Sequence, residues 1–594
     1  MVVCMGLLLT RAAYLQIIQT DTFRAVAEGN RMRIRDVKAP RGVMYDRMGV
    51  LLARNIASFD VAIIPVDLPQ NILERRRILA YATGLSDMTQ ESLEALIKSQ
   101  PAYSYAPIII KTSIDYEKAI ALDIRRDELP GIVVLPGRSR EYVFSTSTPS
   151  LSHILGYVGK INAERVDEYL DAGYSLDDIV GRAGIEQTHE ALLRGKHGKE
   201  HVEVDAIGLT KNIVAFQKPE PGKNIILTID VELQQAIERV LTQSLGRIKK
   251  NRASIIALQP NTGEVLALVS WPGYDNTAFT RGLQSEALQQ LLNDPNRPLF
   301  NRSISGEYPS GSTFKLVMAG AGLEEGIITP QTGFSSVGGV RIGAWFFPDW
   351  KAGGNGWTTV TKAIAESVNT FFYYLGGGQQ GGFAGLGITK MKEYADRFGL
   401  GVRLGIDIPG ERPGFFPTPS WKQEVKKEPW YIGDTYHVSI GQGDLLVTPL
   451  QVAAWTSVFA NGGTLYQPHV LRGWYEDTEN QNILQPTVLR EQVLSPSSIK
   501  TVAQGMRQTV VSGSARSLQA LPVAAAAKTG TAQWSSKHDN HAWVTAFAPY
   551  DNPEIVLTVL VEEGGEGSSV ATPITGEILR WWAENRGKGQ KIAP

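Results

Sequence analysis

Apolar residues in this chain fall into short blocks separated by Gly, Pro, Asn and Asp, and their spacing switches between strand and helix periods. Residues 555–561, Ile-Val-Leu-Thr-Val-Leu-Val, form an unbroken apolar run that predicts a buried strand. Asp551-Asn552-Pro553 supplies the turn before it, and residues 541–548 alternate as the preceding strand. Residues 254–267 read as two further strands joined by the turn Pro260-Asn261-Thr262-Gly263. Helical spacing governs 312–319, directly after the turn residues Tyr308-Pro309-Ser310-Gly311, and also 69–83 and 92–99. Gly-rich stretches such as 376–378 and 381–382 read as loops, and 216–222 has linker composition. The first apolar block, residues 2–9, is too short for a spanning helix, which needs roughly 20 residues. It is expected to be the outer part of a signal anchor; the alternative is a buried amphipathic helix through Ile18.

At 594 residues the chain exceeds one core, and two to four domains are expected. With 59 Lys and Arg against 60 Asp and Glu, no bulk field points to nucleic acid. A single cysteine, Cys4, excludes an internal disulfide framework. None of the 8 histidines lies between His201 and His437, and no His-Glu-x-x-His helix occurs, which argues against a zinc hydrolase.

Three small blocks carry the candidate chemistry: Ser312-Thr313-Phe314-Lys315, Ser367-Val368-Asn369 and Lys528-Thr529-Gly530. Ser312 falls in the predicted first turn of a helix, where free N–H groups and the helix dipole favour negative charge. Lys315 lies three residues on and so shares its face. A lysine amine can take the serine proton only when neutral, which requires burial or nearby positive charge, and Lys528 is the candidate neighbour. Ser497-Ser498-Ile499-Lys500 fits the same pattern, but no ordered set of partners follows it. Residues 361–372 are helical in their first part; the Ser367-Val368-Asn369 block reads as a loop, with a capped helix end as the alternative. Residues 524–534 read as an edge strand in which Gly530 lets a substrate backbone lie close and Lys528 faces a carboxylate. The alanine run 524–527 also suits a helix end.

The order and spacing of the three blocks, 55 and then 216 residues from the first serine to Ser367 and Lys528, resemble the active-site signature of penicillin-binding proteins. The resemblance implies a multidomain α+β chain: an N-terminal pedestal and head, then a serine β-lactamase-like transpeptidase domain with a central antiparallel sheet flanked by helices. Arg41-Gly42-Val43-Met44-Tyr45-Asp46-Arg47 and Gly181-Arg182-Ala183-Gly184-Ile185-Glu186 resemble the pedestal motifs of the class B members. Arg41, Asp46, Arg182 and Glu186 are then expected in structural ion pairs. Phe347-Pro348-Asp349-Trp350-Lys351 and Trp430-Tyr431-Ile432-Gly433-Asp434 look most like the elongation subfamily, penicillin-binding protein 2, although some of its members carry Asp where this chain has Asn369.

By this resemblance residues 1–18 are the remnant of a transmembrane signal anchor, 19–55 with 141–215 the pedestal, 56–140 the head, 216–223 a linker, 224–582 the transpeptidase domain and 583–594 a flexible tail. Ser312 is the expected nucleophile, Lys315 the base, Ser367 a proton relay and Asn369 a partner of Lys315 and substrate. Lys528, Thr529, Gly530 and Thr531 form the substrate-binding strand, with the N–H groups of Ser312 and Thr531 as oxyanion hole. The implied reaction is D,D-transpeptidation of peptidoglycan stem peptides ending in D-Ala-D-Ala during wall elongation, inhibited by β-lactams. It would take place outside the cytoplasmic (inner) membrane, in the periplasm, beside a membrane glycosyltransferase of the SEDS type. No cofactor is expected and no metal: some relatives carry a metal site of Asp, His and Cys near the active site, of which Asp349 is a candidate remnant, but no His lies nearby and the chain has no Cys beyond Cys4. The alternatives are a D,D-carboxypeptidase, a β-lactam-hydrolysing or sensing relative, and a scaffold that activates the glycosyltransferase.

Overall fold

The structure is a computed structural model that describes the chain except residues 1, 16–31, 87, 100–106, 176–177, 205–209, 281, 283–284, 380–381, 476–479 and 588–594. Its central sheet is antiparallel, in the order Val265–Trp271, Ala253–Leu258, Ile555–Val561, His541–Ala548, Ala526–Ala532. Ile555–Val561 lies in the middle with every residue buried, as an unbroken apolar run requires. The two-residue period sorts its side chains between two cores. Leu557, Val559, Ile255 and Ala257 pack under the helices Val231–Ile248 and Thr572–Asn585. Val556, Leu560, Ile256 and Leu258 face the larger core around Trp455 and Phe314.

The alanine run is no helix end: Ala524 and Ala525 lead into the strand Ala526–Ala532, the sheet's edge, with Lys528 opposite Thr545. Side chains this small let the helix Pro496–Val511 lie close beside it, and Arg507 donates to Ala525 O at 2.8 Å. Two of the glycines expected in a loop, Gly376 and Gly377, instead end the helix Asn369–Gly377. A Cβ on either would stand within 2.6 Å of Ser439 or Tyr436, so close packing against the helix Ile432–Ser439 explains them.

Upstream, Leu51–Ile63 pairs along its length with Ile132–Tyr142 and, in its second half, with Ile108–Ile114. Its far end carries a separate core of Val61, Ile63, Ile78, Leu93 and Ile108 under the helices Ile72–Leu85 and Gln90–Lys98, close to the predicted helical spans. Its near end, Leu52 and Ala53, belongs to the main core. The same sheet continues through Met44–Tyr45 and Ile225–Leu227 to Leu471–Tyr475, so both halves of the chain share it. Residues 216–223 are pinned rather than loose, by a two-way backbone bridge between Lys196 and Glu220 and by Gly222 N donating to Pro40 O. The last helix reaches Asn585, into the expected tail, and Arg586 pairs with Asp230 at 2.6 Å. The first helix, Val2–Ala13, is about 18 Å long; among the described residues no helix is long and apolar enough to cross a membrane.

Two of the four charged residues expected in ion pairs form one. Glu186, fully buried, accepts from Arg41 at 2.5 Å and Arg140 at 2.7 Å, and Arg41 also reaches Glu190 at 2.6 Å. Burial pushes the Glu186 carboxyl up, but Arg140 and Arg41 outweigh it and hold the group below its ordinary value. Asp46 instead accepts from the backbone N–H of Met48, Val50 and Val231. Arg182 donates to Lys160 O at 2.5 Å. A turn carboxylate and an arginine facing a carbonyl cannot be told from ion-pair partners by residue type. Glu186→Gln leaves the desolvated Arg140 guanidinium without a carboxylate and Arg41 with Glu190 alone, and about 3–5 kcal/mol of stability should be lost. Thermal melting checks this; an unchanged Tm would show that the cluster is not stabilising.

Candidate active site

Gly311 and Gly441 make room for the serine. Gly311 has φ +52°, and a Cβ there would lie 2.7 Å from Thr531 O; one on Gly441, φ +77°, would lie 2.0 Å from Gly311 O. With Gly311 N donating to Gly441 O at 2.9 Å, the turn wedges between the edge strand and the 440–443 turn. Ser312 sits in a short 3₁₀ turn, Gly311–Thr313, just ahead of the α-helix Lys315–Glu324 rather than in that helix's first turn. It is the one residue of 311–322 that is not buried.

Lys315, fully buried, donates to Asn369 Oδ1 at 2.6 Å and Ser367 O at 2.9 Å, and reaches Ser367 Oγ at 3.4 Å. Lys528, equally buried, donates to the same Ser367 Oγ at 2.9 Å and to Thr529 O at 2.8 Å. Ser367 is held in the left-handed region, φ +56°, in the short link between the helices Val360–Ala365 and Asn369–Gly377. That is uncommon for a residue with a Cβ and persists only where surroundings enforce it. The block is thus a link whose last residue opens the next helix.

Burial disfavours both ammonium groups. It lowers Lys315 to about 7, with Asp349 pulling the other way. Burial also drives Lys528 well down, and there the charge of Lys315 adds to it. Desolvation therefore supplies what was expected from a neighbouring cation at Lys315.

A cleft of about 760 Å³ opens above the lysines, lined by Ser312, Ser367, Asn369, Thr529, Gly530 and Thr531. All eight predicted residues are thus gathered, six on the cleft wall and two beneath it. Gly530 serves a further purpose: a Cβ there would press on Thr313 and Trp543 at 3.1 Å, so the glycine also lets the serine turn pack on the strand. Trp350, Glu366, Gln442, Ser514 and Arg516 line the same cleft. Ser514 bonds Thr529 Oγ1 at 2.6 Å. It and Arg516 lie in a polar stretch just before the edge strand, whose position was the only sequence signal. Ser497 and Lys500 of the look-alike motif are exposed at the start of Pro496–Val511 and do not line the cleft. Among the described residues no group of three or more His, Cys, Asp or Glu could hold a metal ion.

This geometry meets a family pattern over most of the chain. The penicillin binding protein transpeptidase domain matches residues 253–580, and the penicillin-binding protein dimerisation domain matches 36–227. The chain belongs to the penicillin-binding protein transpeptidase family. Within it, the peptidoglycan D,D-transpeptidase MrdA of Haemophilus influenzae is 34% identical over 612 residues, covering 98% of this chain and 90% of that protein. The penicillin-binding protein PBP2 of Helicobacter pylori, solved in complex with MreC, superposes with a TM-score of 0.78 at 28% identity, covering 93% of this chain and 99% of that one. A chain from a peptidoglycan synthase complex that coordinates polymerization and crosslinking gives 0.74 at 31%, covering 99% and 98%. The α+β architecture, with pedestal and transpeptidase regions, is the one expected of a penicillin-binding protein.

Gly441→Ala should displace the serine turn, whereas Gly443→Ala, φ +74° with its nearest neighbour at 3.4 Å, adds strain only. Strain of this kind costs about 1–3 kcal/mol. Both variants should melt lower, and only Gly441→Ala should also lose most covalent labelling by a fluorescent penicillin. Equal labelling in the two would contradict the wedge.

Proposed function

We propose that this protein is a serine-type peptidoglycan D,D-transpeptidase that cross-links stem peptides during wall elongation. The observation that carries it is Lys315: fully buried, poised near neutrality, one helical turn from the half-buried Ser312, and tied to Ser367 and Asn369. Neutral Lys315 takes the proton of Ser312 as its Oγ attacks the carbonyl of the D-Ala-D-Ala amide. The tetrahedral oxyanion lies against the N–H groups of Ser312 and Thr531. The C–N bond then breaks, and the proton passes by way of Ser367 to the leaving D-Ala nitrogen. An amine of a second stem attacks the acyl-enzyme and loses its proton to Lys315, which passes it to Ser312 Oγ as the ester C–O bond breaks, leaving the cross-linked amide, free Ser312 and neutral Lys315. The substrate's terminal carboxylate binds Lys528, Thr529 and Thr531. Its charge restores the Lys528 ammonium, while Lys315 stays neutral as base. A β-lactam acylates Ser312 by the same first step.

The relatives are named for peptidoglycan, a polymer outside the cytoplasmic membrane, which supports a site of action there. The pedestal, which shares a sheet with the catalytic half, is the surface suited to a membrane glycosyltransferase of the SEDS type; the similarity to a chain from a peptidoglycan synthase complex supports such a partner. Glu366 and Glu566 line the cleft, so a hydrolytic outcome is separated from transfer by the lifetime of the acyl-enzyme.

Fluorescent penicillin should label the wild type and Ser497→Ala, persist for many minutes, and leave Ser312→Ala unlabelled. Because only neutral Lys315 accepts the proton, the labelling rate should fall roughly tenfold per pH unit below about 7. A rate independent of pH between 5 and 8 would remove Lys315 as the base, and rapid loss of label would indicate a hydrolase.

A further inference from the structure

Three consecutive residues outside the signature blocks grip the Ser367–Asn369 link. Pro348 O accepts from Asn369 Nδ2 at 3.1 Å and from Tyr373 Oη at 3.2 Å. Asp349, 7% exposed, accepts through Oδ1 from the backbone N–H of Asn369 at 2.5 Å and of Thr370 at 3.1 Å. Its Oδ2 accepts from Thr370 Oγ1 at 2.5 Å and Ser336 Oγ at 2.7 Å. Trp350 Nε1 donates to Glu366 O at 2.8 Å.

The arrangement answers a local need. The helix Asn369–Gly377 has Val368 at its N-cap, an apolar residue that offers no acceptor to the first N–H groups. Asp349 supplies that acceptor from another segment, and its negative charge lies at the favourable end of the helix dipole. The consequence reaches the reaction centre. With its N–H held by Asp349 and its amide nitrogen by Pro348, Asn369 can present only its Oδ1 to Lys315. Ser367, two residues earlier, is confined to its left-handed conformation between the capped helix and the Trp350 bond to Glu366.

We propose that Asp349 is a positioning residue: it caps the helix that Val368 cannot, and so fixes Asn369 and Ser367 against Lys315 while holding a negative charge beside that lysine. This rests on Lys315 serving as the base of the acylation step. Lys528 from the edge strand and Tyr373 from the Asn369–Gly377 helix also face this group of residues, and the serine helix contributes no second charge to it. Both carboxylate oxygens of Asp349 are used within the protein, so its position is explained without a metal ion.

The test is the second-order rate of fluorescent penicillin labelling, measured against pH for the full chain with Ser312→Ala as the reference. Asp349→Asn keeps an acceptor for the two backbone N–H groups but loses the charge that favours the Lys315 ammonium. Its high-pH rate should stay within roughly threefold of wild type, and the acidic limb should move to lower pH. Asp349→Ala loses the cap as well, and its rate should fall roughly tenfold to a hundredfold at every pH. If Asp349→Ala fails to fold, Asp349→Asn still decides the matter. An acidic limb that does not move in Asp349→Asn, or a wild-type rate in folded Asp349→Ala, would overturn the proposal. Label remaining in Ser312→Ala would overturn the acylation reading instead.

Discussion

Two lysine side chains desolvated around one serine hydroxyl are the constraint on which the rest of the structure depends. Lys315 and Lys528, both fully buried, donate to Ser367 Oγ from a helix and from an edge strand. Burial disfavours the ammonium form of each, and at Lys528 the charge of Lys315 adds to it. In the proposed mechanism, the same desolvation makes Lys315 available as a base near neutral pH, and a substrate carboxylate entering above Lys528 relieves it. Holding three elements at that distance needs small residues at their contacts. Gly311, Gly441 and Gly530 stand where a Cβ would meet backbone or packed side chains.

The sheet explains why the geometry holds. Its edge strand is anchored by pairing with His541–Ala548 and, through it, with a central strand buried on both faces. Thr456, Thr545 and Thr558 satisfy one another's hydroxyls inside the core, so the strand next to the edge is fixed by hydrogen bonds as well as by packing. The shared sheet ties the N-terminal half to the catalytic half, and the Glu186 cluster joins elements within the N-terminal half. A force or partner acting on the pedestal therefore has a continuous route of backbone pairing towards the region around Leu471–Tyr475.

Much of this was legible in the sequence because its signals were local and strong. The apolar run 555–561, the Asn-Pro turn before it and the alternation of 541–548 specify a hairpin that the structure reproduces at the same residues. The serine and lysine spacing, read with two later blocks, brought together eight residues that the fold does gather. What was not legible depended on tertiary contact. Alanines 524–527 carry a helical propensity that loses to strand pairing at the buried sheet edge, beside the helix Pro496–Val511. Gly376 and Gly377 imitate a loop, yet are required by helix packing. Asp46 and Arg182 were expected in ion pairs because charge is visible in a sequence, whereas the backbone N–H groups and carbonyl that occupy them are not. Asp349 is the same kind of case, since its partners lie about twenty residues on in a helix whose own cap position is apolar.

The most direct test of the central constraint is to titrate the Nζ of Lys315 itself by ¹⁵N NMR of the full chain carrying ¹⁵N-lysine, with Lys315→Arg for assignment. The burial account predicts a midpoint near pH 7 in the free protein, far below that of an exposed lysine. A Lys315 resonance that stays that of an ammonium to pH 9 or beyond would contradict it, since Ser312 would then lack a neutral amine at working pH.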